Sequence, residues 1–368
     1  MAYVFFVRIK TQFDNLGDAL INRELLRLCS SVGTVVVRCD GAPDDFIKWL
    51  DLKSIPNIYV VRGGGEYGLL FVRDLICGAI RRRSMCLVLN PGGYIGEISK
   101  KSLFFRRFRA AYLRFLSALG VRSVLLGASY ESLGRNNLAS IRGIADSLTF
   151  HIVRDLGTRD YCLEKKIRVS KVLPDLAFNL PDPGVERLRS SRRVCLLSFR
   201  DPKDVDVLEC IVQQVAKAYA NGAFSAVRLS FQVRRDEKIM VDLQSRLKSL
   251  CIPIDGGLGM QEEGVGAAID DYADAAYVFS NRLHVLLLAW RGGVVPMPFL
   301  KTGDNRKIEG IFADVGLADL CVREASGSDG LSSVIQRVET VVSPKELRER
   351  FNSLGSSLRN GFSDLLRL

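Results

Sequence analysis

Apolar positions along the chain keep two rhythms. Short runs rich in β-branched and aromatic residues alternate with longer stretches in which apolar positions return at helical spacing. In the first half, YVFFVRI (3–9), GTVVVRC (33–39), NIYVVRG (57–63), MCLVLN (85–90), SVLLGAS (123–129) and FHIVRD (150–155) predict strands, and KVLPDLAF (171–178) a further strand-like piece. In the second half, VCLLSF (194–199), SAVRLSF (225–231), YVFS (277–280) and VVPMPF (294–299) predict strands. Helices are expected there over 204–220, 235–250, 265–275, 283–291 and 306–315. Strand and helix in alternation is the signature of parallel α/β architecture.

The rhythm breaks at NLPDPGVERLRSSRR, where prolines, a glycine and charges read as a linker. A chain of 368 residues suits two domains of about 180. The expectation is therefore an α/β fold of two doubly wound domains, residues 1–180 and 191–342, joined by a linker at 181–190. A helical tail follows over 343–368, with Ser343 as its cap and Pro344 at the first helical position. Ligands of such sheets bind beyond the carboxyl ends of the strands, and two facing domains make a cleft there.

Composition narrows the class. Hydrophobic residues make up 48% and charged residues 25%, so each half can bury a core without disulfides or metals. The nine cysteines include no CxxC pair, and several sit inside apolar runs. They read as small buried hydrophobes in a reducing compartment. With two histidines and no thiol pair, no metal site is expected. The start MAYVFFVRIK lacks the pattern of a secretory leader, and no apolar window approaches the ~20 residues of a membrane span. These features predict a cytoplasmic protein. The formal charge of +11 predicts an anionic partner: a phosphorylated metabolite, a nucleic acid or an anionic membrane surface.

Candidate chemistry gathers where predicted strands give way to helices. In TQFDNLGDALINRELL (11–26), Asn15 and Gly17 are turn formers and Asp18 is a cap type. Backbone can approach a ligand there, and the segment serves equally as a plain strand-to-helix turn. VVRGGGEYG (60–68) puts Gly63, Gly64 and Gly65 after a strand and Glu66 at the start of a helix, and NPGGYIGE (90–97) repeats the theme. Neither fits a P-loop or a dinucleotide fingerprint. In FHIVRDLGTRDYC (150–162), Arg154 and Arg159 flank a helix start and suit a phosphate or carboxylate clamp, or an Arg–Asp pair holding the turn. His151 alternates with apolar neighbours and reads as a satisfied core histidine. The segment SNRLHVLLLAWRGG (280–293) sets Arg282 and His284 in the first turn of a buried helix, where an anion is held by backbone N–H groups, a guanidinium and an imidazolium together. Lys307 opens the helix after the next strand and suits a point-charge phosphate ligand.

One helix differs in kind. In KKSLFFRRFRAAYLRFLSALG (100–120), Phe104, Phe105, Phe108, Tyr112 and Phe115 share one side, with Arg106, Arg107, Arg109 and Arg114 on the other, and Arg81, Arg82 and Arg83 one helix earlier. Such a helix either lies on anionic lipid headgroups or packs its aromatics on a sheet with a basic exterior. No recognised nucleic-acid module is visible, so a nucleic-acid partner is not expected.

Taken in order, NLGDALI, RGGGEYG, NPGGYIG, GASYESL, VRDLGTRDYC, LPDLAF, SNRLHVLLLAWRGGVVPMPF and NRKIEGIFADVGL resemble the polysaccharide pyruvyl transferase family. The resemblance implies two Rossmann-like domains facing across a cleft, similar to GT-B glycosyltransferases, with the acceptor on the N-terminal side and the donor on the C-terminal side. It implies transfer of the pyruvyl carbons of phosphoenolpyruvate to a sugar, many members leaving a pyruvate ketal on a bacterial exopolysaccharide. The acceptor is commonly a lipid-linked oligosaccharide at the inner leaflet, which would give the basic aromatic helix a purpose. No cofactor beyond the donor substrate is implied. Arg282 and Lys307 would bind the departing phosphate and His284 would act as acid, while Asn15, Gly17, Asp18 and Gly63–Gly65 would line the other wall. Asp18 or Glu66 would take the proton of the acceptor hydroxyl. The competing readings are a GT-B glycosyltransferase using a sugar nucleotide and a non-catalytic sugar- or phosphate-binding protein.

Overall fold

The apolar runs become parallel strands in the computed structural model, which describes residues 3–81, 84–182, 193–202, 204–256, 258–260, 264–301, 306–324, 330–341 and 343–367. The chain divides into two units. The first comprises residues 1–13, 18–179 and 356–368, the second residues 14–17 and 180–355. The segment expected as a separate tail is thus one helix whose final residues belong to the first unit. Of the expected linker 181–190, the part beyond Asp182 lies outside the described residues.

The first unit runs β1 (Tyr3–Arg8), α1 (Leu16–Ser30), β2 (Gly33–Arg38), α2 (Asp44–Leu50), β3 (Ile58–Val61), α3 (Gly64–Arg81), β4 (Ser84–Leu89), β5 (Gly92–Gly96), α4 (Lys100–Ala118), β6 (Arg122–Leu133), α5 (Arg135–Ala145), β7 (Phe150–Val153), α6 (Leu156–Glu164) and β8 (Lys171–Val172). Its sheet has the order β3-β2-β1-β4-β6-β7-β8, parallel throughout, with β5 added on β6. Tyr3 to Val7 of β1 are all buried, as a central strand covered on both faces requires. Two expectations change here. NPGGYIG is a strand rather than a turn: β6 is twelve residues long and supplies the extra partner edge. KVLPDLAF keeps only Lys171–Val172 as strand. Pro174 has no N–H to donate, and Asp175 accepts the Ala177 N–H at 2.9 Å, turning the chain instead.

The second unit runs β9 (Val194–Ser198), α7 (Val205–Ala220), β10 (Ala226–Phe231), α8 (Glu237–Ser249), β11 (Gly259–Met260), α9 (Val265–Ala273), β12 (Tyr277–Ser280), α10 (Leu283–Arg291), β13 (Val295–Leu300), α11 (Arg306–Asp314), β14 (Val322–Arg323), α12 (Leu331–Val341) and α13 (Pro344–Arg367), the last crossing into the first unit at Ser356. Its sheet is parallel in the order β11-β10-β9-β12-β13-β14. One end of α13 is fixed locally and the other by contacts distant in the sequence. Ser343 Oγ accepts the Glu346 N–H and Glu346 accepts the Ser343 N–H, each at 3.1 Å, a reciprocal capping box ahead of Pro344. In the first unit, Phe362 packs on Phe5 with ring centroids 6.2 Å apart, and Arg122 donates to the Leu366 carbonyl at 2.7 Å.

Candidate functional site

In the second unit the chain steps outward from β9 to β10 and β11, then returns past β9 to β12. The switch point therefore lies between β9 and β12, and a crevice opens at the carboxyl ends of these strands. Two polar residues tie that corner. Ser280 Oγ donates to the Ser198 carbonyl and accepts the Arg282 N–H at 3.0 Å. Asn281 brackets Arg200, accepting its N–H at 2.7 Å and donating to its carbonyl at 3.1 Å. Arg282 is thus the residue before α10, in extended conformation, rather than inside the first turn. Val285 to Arg291 are all buried, so the aliphatic run fixes the helix that carries His284.

The Arg282 side chain is 12% exposed and forms an ion pair with Asp236, which is 2% exposed. Asp236 ends the tight turn Arg234–Asp236 that follows β10. Burial works against both charges: it pushes the Asp236 carboxyl up and the Arg282 guanidinium down, each opposed by the other's field. Arg235 and Arg200 act on the same pair. Three arginines, at the exits of the neighbouring strands β9, β10 and β12, therefore surround one buried carboxylate and leave the corner positive. Among the described residues the buried Arg282 Nε–H has no hydrogen-bond acceptor. Arg200, Arg235 and Asp236 were not picked out from the sequence. Their signal is present in SFRD and QVRRD, where a basic residue lies within four positions of the end of a predicted strand, as Arg282 lies two positions beyond YVFS.

Asn15 and Gly17 belong to this unit as well. Asn15 pairs with Val233 in an isolated antiparallel bridge, Leu16 donates to the Gln232 carbonyl at 3.3 Å, and Asn15 Oδ1 accepts the Gly17 N–H at 3.0 Å. Asn15 is therefore the cap of α1, in place of Asp18. Gly17 lies against His284: a Cβ built on it would stand 2.4 Å from His284 Nδ1. So Asn15 and Gly17, expected on the opposite wall, stand with Arg282 and His284. Lys307 is the second residue of α11, half-buried, beyond the end of β13.

The remaining expected residues sit in the first unit. Asp18 accepts from Thr11 Oγ and from the Gln12 N–H at 3.1 Å, holding the exit of β1. Arg154 is buried and donates to Asp175 at 2.9 Å, which ties β7 to the turn after β8; of the two readings of that segment, the structural pair is the one present. Arg159 is half-buried and donates twice to Asp160, at 2.8 and 2.9 Å. Gly63, Gly64 and Gly65 are exposed at the start of α3, none with positive φ, and Gly64 alone has a close neighbour, Arg38. Glu66 is exposed in the first turn, where a carboxylate suits the helix dipole. His151 is fully buried between the Tyr130 hydroxyl, 2.6 Å from Nε2, and the Arg168 carbonyl at Nδ1.

Two parallel sheets flanked by helices, one with three arginines near its switch point, define a GT-B-like α/β protein. Solved structures with this fold include UDP-GlcNAc 2-epimerase from Neisseria meningitidis (TM-score 0.52, 10% identity, 100% of both chains). They also include a glycosyltransferase from Rickettsia africae (0.58, 9%, 100% of this chain and 96% of that one) and UDP-GlcNAc 2-epimerase from Methanocaldococcus jannaschii (0.52, 14%, 100% of both). At these identities the likeness is one of fold. No curated protein matches the sequence. The family model described as "Polysaccharide pyruvyl transferase" matches residues 15–294, and the chain belongs to that family. The matched span contains Asn15, Gly17, Arg200, Arg235, Arg282 and His284, and ends before Lys307.

Proposed function

We propose that the second unit binds phosphoenolpyruvate at the corner formed by Arg200, Arg235 and Arg282, and that the protein transfers its pyruvyl carbons to a sugar of a lipid-linked bacterial glycan as a ketal, releasing phosphate. The observation that carries this reading is the convergence of three arginines and one histidine-bearing helix at the switch point of a parallel sheet. Phosphoenolpyruvate presents a phosphate and a carboxylate, and clustered guanidinium groups match both. A sugar hydroxyl gives up its proton to a base and adds its oxygen to C2, while C3 receives a proton. The C2–O bond to phosphate then breaks, phosphate leaves with the bonding pair, and a second hydroxyl closes the ketal with loss of its proton.

His284 is assigned the proton delivered to C3, as the one imidazole at this corner able to act as a general acid, and Arg282 the charge that grows on the leaving phosphate. Lys307 is assigned to the same phosphate from the adjoining strand exit. The test is incubation with phosphoenolpyruvate and a panel of lipid-linked oligosaccharides, read by mass spectrometry for the gain of a pyruvate ketal and by phosphate release. His284→Ala and Arg282→Ala should lose most of both signals while keeping the wild-type melting temperature for His284→Ala. Release of a nucleoside diphosphate from a sugar nucleotide, with phosphoenolpyruvate untouched, would overturn the reading in favour of an ordinary glycosyltransferase.

A further inference from the structure

The α4 helix turns its aromatic side away from the sheet. Its buried stripe is Ala110, Leu113 and Leu116, while Phe104, Phe105, Phe108, Phe115 and Leu119 stand at 68%, 60%, 72%, 61% and 47% exposure and Tyr112 at 44%. The alternative in which these aromatics pack on the sheet is therefore not what the fold does. At ~100° per residue, Lys100, Arg107 and Arg114 line one flank of the aromatic crest and Arg109 the other. The helix carries six basic residues and no acidic one. The neighbouring α3 adds Leu69, Val72 and Ile76, exposed at helical spacing. Both helices cover one face of the sheet, because Tyr67, Leu70, Phe71 and Leu75 of α3 and Leu116 of α4 join the same core cluster.

An apolar crest this long and this exposed is unusual on a free surface and marks an interaction site. We infer that the α3–α4 face docks the protein on an anionic lipid bilayer, with the aromatic crest entering the headgroup boundary and the flanking arginines and lysines on lipid phosphates. The charge pattern selects this occupant. A second copy of the same face would bring one set of basic flanks against another, with no acidic residue on α4 to complement them. A bilayer surface supplies phosphates and apolar depth together.

Vesicle co-flotation tests the surface without turnover, so its failure would leave the donor-site reading standing, and the reverse. The full chain should float with vesicles containing phosphatidylglycerol and be recovered several-fold less with pure phosphatidylcholine. Phe104→Ser/Phe108→Ser/Phe115→Ser, all exposed side chains, should melt as the wild type does and lose most of the bound fraction. Arg107→Gln and Arg114→Gln should each weaken partition about fivefold, and less so at high salt. Equal recovery from anionic and neutral vesicles, no recovery from either, or wild-type flotation of the triple variant would each overturn the inference. So would a concentration-dependent dimer, or binding of an oligonucleotide, that the triple variant abolishes while vesicles stay unbound.

Discussion

Substituting Gly17 by alanine should disable the site without touching any charged group. A Cβ at this position would stand 2.4 Å from His284 Nδ1, 3.0 Å from Cγ and 3.1 Å from Cβ, where ordinary contact begins at 3.4 Å. The glycine backbone has no positive φ, so alanine itself is unstrained there. Neither side can yield by moving backbone. Gly17 is held by Asn15 Oδ1 and its neighbour Leu16 by the Gln232 carbonyl, while Val285 to Arg291 of α10 are buried throughout. The imidazole must therefore swing aside by about 1 Å, a displacement that can cost about 10²-fold in rate when the group reacts with substrate. Stability should hold or rise slightly, because alanine is favoured over glycine within a helix. The assay is kcat/KM for phosphoenolpyruvate-dependent phosphate release with a lipid-linked acceptor, beside a thermal melt. In a His284→Ala background, Gly17→Ala should cost nothing further, since the ring it displaces is gone. A Gly17→Ala enzyme within about threefold of wild type, or losses that multiply in the double variant, would refute the assignment of His284.

Arg235→Gln and Arg200→Gln should each raise KM for phosphoenolpyruvate about five- to tenfold while leaving the melting temperature unchanged; wild-type KM in both would remove these residues from the donor site. Asp175→Ala removes the carboxylate Arg154 contacts at 2.9 Å, leaving the buried guanidinium only Asp155 at 3.9 Å, and should lower stability by about 3 kcal/mol, seen as an earlier urea midpoint. Burial depresses the pKa of His151 against the pull of the Arg168 carbonyl. The neutral ring is the form that both accepts from Tyr130 and donates to Arg168, so its contribution to stability is present above pH ~6.5 and is lost as pH falls from there toward the depressed folded value. Proton NMR should place the His151 titration midpoint below the ordinary histidine value; an ordinary midpoint for His151 would contradict this.

How far the chain can be read from its sequence depends on what decides each feature. Strands such as YVFS and the helix LHVLLLAWR came out at their observed bounds, because burial on every side leaves an unbroken apolar run with turn residues at each end. The cap at Ser343 ahead of Pro344 is legible as a local pattern that needs no tertiary partner; the return bond from Glu346 is found only in the structure. NPGGYIG misled because glycine and proline announce a turn, and the extra length of β6 that recruits it as a strand is a long-range fact. Arg282 was found, but its partner was not. The Asp236 carboxylate arrives from a different strand exit, and only the sheet order brings it there. The aromatics of α4 show the limit most plainly. A helical stripe tells which residues share a side, and the narrow stripe Ala110, Leu113 and Leu116 decided which side faces the core.

The first unit closes on a segment that the ribosome makes very late. Tyr3 of its central strand donates to the carbonyl of Leu366, 363 positions away, and Phe362 packs beside Phe5. While a nascent chain is shorter than this, β1 has its neighbouring strands but lacks these partners. The second unit must be synthesised in full before the first is finished, so folding cannot proceed as one completed domain followed by another. Expressing residues 1–180 alone would yield a sheet whose Tyr3 and Phe5 side chains lack their partners, prone to association until residues 356–368 are supplied.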